Sequence, residues 1–176
     1  MEQTANSNHE SLLLAELEAL GPATMLTAEI YALVGRSPFF TEFTREDIEQ
    51  LAAYMLVYRA RPGQTIIREG DIGDSMLLVI KGEVEIVKKN LLGVQQAMAT
   101  VLPGMTLGEM SMIDGEPRFA SCMAIRETTF AILTRDNMAK IILDKPSLGA
   151  KLLVKLVTLL SQRLRQTSVK LLQSMK

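Results

Sequence analysis

The sequence holds one cysteine, one histidine and no tryptophan in 176 residues. A lone Cys122 cannot close an intrachain disulfide, and His9 stands in the polar stretch TANSNHES. Zinc sites built from Cys and His, Ser-His-Asp triads and Cys-His nucleophiles therefore lack their parts, so no catalytic or metal-ligating set is expected. Cys122 lies inside the apolar stretch ASCMAI, where a small buried thiol is the expectation. An excess of one charge is also missing: 19 Lys and Arg against 20 Asp and Glu leave a net charge of -1. No global field steers such a chain to nucleic acid or to an anionic membrane. No apolar run approaches the ~20 residues that span a bilayer, and the first ten residues carry no basic segment of a secretory signal. A reducing cytoplasm is the expected compartment.

What is present suffices for a core, since 48% of the residues are hydrophobic. Charge is segregated. All acidic residues lie at or before Asp144, and the seven cations from Lys145 to Lys176 stand alone, leaving 12 cations against 20 acids ahead of them. Helical patterns open the chain in ESLLLAELEAL, TAEIYALVGR and TREDIEQLAAYM, the last with Thr44 and Asp47 spaced as a capping box. From Val57 to about Leu133, β-rich runs such as SMLLVIK, EVEIVKK and FAILT alternate with Gly and Pro turn signals about every ten residues. That spacing predicts an antiparallel β-barrel or jelly roll, with one helical turn at GEMSMI. Helical spacing returns in RDNMAKIILDK and in a Pro-free run from Ser147 to Met175. There Leu152, Leu156, Leu159 or Leu160, Leu164, Thr167 and Leu171 form one stripe on a helix of roughly 40 Å, too long for a small barrel to cover. A second copy of the same helix is the expected cover, and folding back on the chain's own barrel is the alternative. The expected class is α+β, a barrel flanked by N-terminal helices and a long C-terminal helix. The division is a helical extension over 1–36, the barrel with its lead-in helix over 37–134 and helices over 135–176.

The segment most able to bind something is LGEMSMIDGEPRFAS. Gly108 permits close backbone approach, and a helical turn after it would present N–H groups to an anion. Pro117 stiffens the chain before Arg118, whose guanidinium can hold a phosphate through two parallel hydrogen bonds. Glu109 can only accept, which suits a sugar hydroxyl. An Arg for phosphate and a Glu for ribose specify a nucleotide with a compact phosphate. A mere loop salt bridge between the two is the competing reading.

PGQTIIREGDIGDSMLLVIKGEVEIV, with its glycine turns, and GEMSMIDGEPRFAS, with Glu109 and Arg118 nine positions apart, stand in order in this chain. Together they resemble the cyclic nucleotide-binding domains of kinase regulatory subunits, nucleotide-gated channels and the bacterial catabolite activator. The resemblance runs from about Ser37 to Thr167. It implies that Glu109 accepts from the ribose 2′-hydroxyl, that Arg118 pairs with the cyclic phosphate, and that amides near Gly108, Met110 and Phe119 complete the cradle. It also makes Gly82 a structural turn. Phe119 departs from the pattern, because a small residue usually follows the arginine; its ring is expected to turn outward or into a neighbouring helix. Ser121 offers the next hydroxyl along. RLRQTSVK resembles the activator's dimer helix, which implies that Thr167 and Ser168 meet the base across two subunits. The helix-turn-helix that follows there has no counterpart in these residues, so nucleic acid is not an expected partner.

The resulting expectation is a non-enzymatic sensor of cyclic AMP, with cyclic GMP second. It needs no cofactor and acts as a homodimer that relays binding through its last helix to a protein partner. The alternative function is an interaction module of the same fold that binds no nucleotide, which Phe119 would favour.

Overall fold

The computed structural model describes residues 13–90 and 92–174; His9 lies outside them. Among the described residues, nine strands form two sheets. The first runs β1 (Glu18–Pro22), β2 (Leu56–Ala60), β9 (Thr128–Thr134), β4 (Ser75–Lys81), β7 (Thr106–Leu107). The second runs β3 (Thr65–Ile67), β8 (Ser121–Ala124), β5 (Val84–Lys89), β6 (Gln95–Val101). All pairings are antiparallel.

The expected barrel or jelly roll does not form. No strand of one sheet pairs with a strand of the other among the described residues, so both sheets stay open. Turn-residue spacing reports strand length and the return of the chain, but not whether the last strand bonds to the first. A second correction concerns ESLLLAELEAL. Its last three residues, Glu18 to Leu20, belong with Gly21 and Pro22 to an edge strand on β2, with Glu18 opposite Arg59 and Pro22 opposite Leu56. Tertiary pairing there overrides a short helical periodicity.

The run SMLLVIK has no alternation because both faces of β4 are covered. Leu77 and Val79 enter a core between the sheets with Val84, Val101, Leu107, Phe130 and Ile132. Met76, Leu78 and Ile80 enter a second core on the opposite face, with Phe40, Ile48, Leu133, Ile141, Leu152 and Leu156. The layers are therefore helices, five-stranded sheet, four-stranded sheet.

On the helical side lie α1 (Thr27–Ala32) and α2 (Arg45–Ala52). The Thr44 capping box expected for α2 is present: Thr44 N donates to Asp47 Oδ2 at 2.8 Å and Asp47 N to Thr44 Oγ1 at 3.1 Å. The short α3 (Glu109–Asp114) follows β7, and α4 (Arg135–Asp144) leads into α5 (Pro146–Ser174), 29 residues or ~43 Å long. The stripe drawn for α5 divides. Leu148, Leu152 and Leu156 are buried in the chain's own core, whereas Leu153, Val157, Leu164 and Leu171 are exposed on another face. No helix among the described residues is long and apolar enough to cross a membrane. Gly82 is demanded by its turn: its φ is 92°, and a Cβ there would lie 2.3 Å from the Glu127 carbonyl oxygen.

Candidate functional site

β7, α3, the turn before β8 and the middle of α5 surround a cavity of about 350 Å³, a size common for small-molecule pockets. Its walls are apolar side chains such as Ile67, Ile86, Leu107 and Ala120, and its charged lining is Glu109, Arg118, Arg163 and Lys170. Three cations against one carboxylate favour an anion. A second depression of about 510 Å³ on the outer side of the four-stranded sheet is lined by partly or fully exposed charges, Arg68, Glu69 and Lys89.

Gly108 opens the site. Its φ of 80° turns β7 into α3, and a Cβ there would stand 2.5 Å from Arg118 Nη1 and 2.9 Å from the Ser75 carbonyl oxygen. Only glycine fits both demands. The space it leaves is taken by the Arg118 guanidinium, which is 3% exposed. Arg118 Nη1 donates to the Gly108 carbonyl oxygen at 2.9 Å and Nη2 to Ser75 Oγ at 3.1 Å. The Arg118 backbone is clamped as well, its N–H donating to Asp71 O at 2.8 Å and its carbonyl accepting from Gly70 N at 2.9 Å.

Glu109, the first residue of α3, is 1% exposed. One carboxylate oxygen accepts from the Thr106 hydroxyl, and Oε2 accepts from Arg163 Nη1 at 2.9 Å. Arg163 also donates through Nη2 to the Thr106 carbonyl oxygen at 2.8 Å. This bridges α5 to the start of α3. The last turn of α3 is held from the other side: Arg135, first in α4, donates to Met112 O at 2.6 Å and Ser111 O at 2.7 Å, answering carbonyls that a six-residue helix leaves over.

Of the residues singled out in the sequence, Gly108, Glu109, Met110, Arg118, Phe119 and Thr167 line this one cavity. Ser121 and Ser168 do not. Ser121 Oγ accepts from Glu69 N at 2.9 Å and belongs to the outer depression, and Ser168 Oγ donates back to Leu164 O at 2.9 Å on an exposed turn of α5. Thr167 makes the same kind of bond to Arg163 O. The Phe119 ring is 54% exposed at the cavity mouth, with Lys88 Nζ 4.1 Å from its centroid. Two groups were missed, Arg163 and Arg135. Arg163 lies four residues before Thr167, one helical turn away on the same face, which was the available signal. Cys122 also lines the cavity; burial pushes its thiol up to about 12, so it is protonated and poorly nucleophilic at neutral pH.

The model of the cyclic nucleotide-binding domain matches residues 58–145. A solved cyclic nucleotide-binding domain from Methylobacillus flagellatus is 39% identical, covers 90% of this chain and 89% of its own, and superposes with a TM-score of 0.81. The catabolite activator protein of Thermus thermophilus is 31% identical over 77% of this chain and 62% of its own, with a TM-score of 0.70. A curated cyclic AMP receptor protein of the same organism is 30% identical over 135 residues, 77% of this chain. This chain spans 61% of that relative's length. The matched region contains both sheets' central strands, the Gly108 turn, Glu109 and Arg118. The chain belongs to the family of cyclic nucleotide-binding domains, regulatory rather than catalytic modules.

Proposed function

We propose that the chain is a cyclic AMP sensor whose ligand occupies the 350 Å³ cavity and whose occupancy is read by α5. The observation that carries this reading is one buried carboxylate facing two directions: Glu109 lines the cavity and holds Arg163 of α5 at 2.9 Å. In the proposed complex the cyclic phosphate pairs with the Arg118 guanidinium, already braced by Gly108 and Ser75. The ribose 2′-hydroxyl donates to Glu109, whose two oxygens have lone pairs beyond those used by Thr106 and Arg163. A ligand that bears on Glu109 shifts the position of Arg163 and biases α5 between two placements, which is a population shift. Thr167, on the cavity side of α5, meets the base.

Removal of the phosphate partner is the first test. Arg118→Ala should weaken cyclic AMP binding by about 2–5 kcal/mol, the scale for truncating one member of a desolvated charge pair. Circular dichroism should show the fold retained. Glu109→Ala should cost about 1.5–3 kcal/mol, and it should erase the preference for cyclic AMP over its 2′-deoxy analogue. Unchanged affinity in the first variant, or an unaltered preference in the second, removes the corresponding assignment.

A further inference from the structure

Phe119 raises a packing problem that its neighbours answer. An aromatic ring directly after Arg118 lines the mouth of the cavity and is about half exposed, a bulky group where the nucleotide reading wants open space. Around this ring is a network outside the residues assigned to the ligand. Lys88, on β5 two residues beyond the cavity-lining Ile86, donates from Nζ to the Phe119 carbonyl oxygen at 2.5 Å. The same ammonium lies over the Phe119 ring, 4.1 Å from its centroid. It is aimed by Glu69, whose Oε1 accepts from Lys88 Nζ at 2.8 Å and whose Oε2 accepts from Lys89 N at 3.2 Å. Glu69 is anchored in turn through its own N–H, which donates to Ser121 Oγ at 2.9 Å. The hydrogen bond from Lys88, first, and the one from the Lys89 amide hold the Glu69 carboxyl below its ordinary range, as expected of a paired carboxylate.

We propose that Lys88, aimed by Glu69, is a positioning residue that holds the Phe119 carbonyl and ring at the cavity mouth, so that a bulky residue can follow Arg118 without filling the nucleotide site. This rests on the reading of the cavity as a cyclic nucleotide site. It also gives Ser121 a role as an anchor for the Glu69 turn instead of a ligand contact. Arg118 is served by the same arrangement, because Gly70 and Asp71, the residues after Glu69, clamp its backbone.

The test is calorimetric titration of the full chain with cyclic AMP, using wild type, Lys88→Met, Lys88→Arg, Phe119→Ala and the double variant Lys88→Met/Phe119→Ala, with thermal unfolding of each. Lys88→Met should bind about tenfold more weakly, the size of coupling expected between touching residues. Lys88→Arg should bind close to wild type. Phe119→Ala should bind at least as tightly as wild type, and the double variant should match it to within about threefold, because without a ring there is nothing to hold back. Wild-type affinity in Lys88→Met overturns the inference. So does a double variant as weak as Lys88→Met, which would mean that the lysine acts through its charge on the ligand. Binding by Phe119→Ala but not by wild type would show the ring closing the site and would overturn it too. Absence of binding in every protein sinks the nucleotide reading and this inference with it, whereas tight wild-type binding with no loss in Lys88→Met sinks this inference alone.

Discussion

A carboxylate that is 1% exposed persists only where its charge is answered, and at Glu109 the answer comes from Thr106 and Arg163. Removing one partner of such a pair leaves a buried charge and costs more than the intact pair contributes. Glu109 therefore has a structural duty on α5 whether or not a ligand is bound. That duty was invisible in the sequence, because the partners are 54 residues apart and only the fold brings them together. Glu109 and Arg118 themselves were legible, since a glycine, an acceptor and a proline-stiffened arginine at short spacing state a local chemistry. Ser121 shows the opposite case. A hydroxyl in a strand-like run faces one of two sides, and the sequence does not say which; it bonds Glu69 N, away from the cavity.

At the scale of elements, the lead-in helix and the last helix are fastened by ion pairs. Lys151 Nζ meets Asp47 Oδ2 of the lead-in helix at 2.5 Å, and Lys155 meets Glu42, in the turn just before it, at 2.9 Å. Burial pushes the Asp47 carboxyl up, but bonds from Lys151 and from the Thr44 backbone and hydroxyl outweigh it, so its pKa lies below the ordinary value. A carboxylate depressed in the folded state contributes stability that is fully present above its unfolded pKa near 4 and is lost as pH falls through the folded one. Asp47→Ala should therefore lower the melting temperature at neutral pH, and its difference from wild type should shrink as pH drops below about 4. A difference that is constant with pH would show that Asp47 acts only through shape. The helices here were largely readable, capping box included, because periodicity and caps are local. The strand at Glu18–Pro22 was not, since it exists only by pairing with β2. Nor was the openness of the sheets, which depends on which edges meet.

Over the whole molecule, α5 has two apolar faces with different employment. Leu148, Leu152 and Leu156 close the chain's own core, and Leu153, Val157, Leu164 and Leu171 lie exposed, the last three at seven-residue spacing. Sequence periodicity ran Leu152 and Leu156 of the first face and Leu164 and Leu171 of the second into one stripe, because a helix apolar on two adjacent faces reads as one broad band. A second copy of α5 laid along the exposed seam would bury it in coiled-coil fashion, and we propose that dimer. Truncation at Ser147 would remove core residues with the seam, so charge substitution is the cleaner test. Val157→Glu/Leu164→Glu should sediment as a folded monomer where wild type sediments as a dimer, at a cost of about 1.5–3 kcal/mol per buried side chain. A wild type that stays monomeric at high concentration would contradict the seam.

If the cavity between α3 and α5 is a cyclic nucleotide site, calorimetric titration of the full wild-type chain will show it. Cyclic AMP should saturate one site per chain, and cyclic GMP under the same salt should bind more weakly by about 1 kcal/mol, roughly one hydrogen bond. Phe119 offers guanine no side-chain donor or acceptor, which sets the direction of that preference. Heats no larger than dilution with either nucleotide at millimolar concentration would mean that the cavity is not a cyclic nucleotide site, and tighter binding of cyclic GMP would make that nucleotide the ligand.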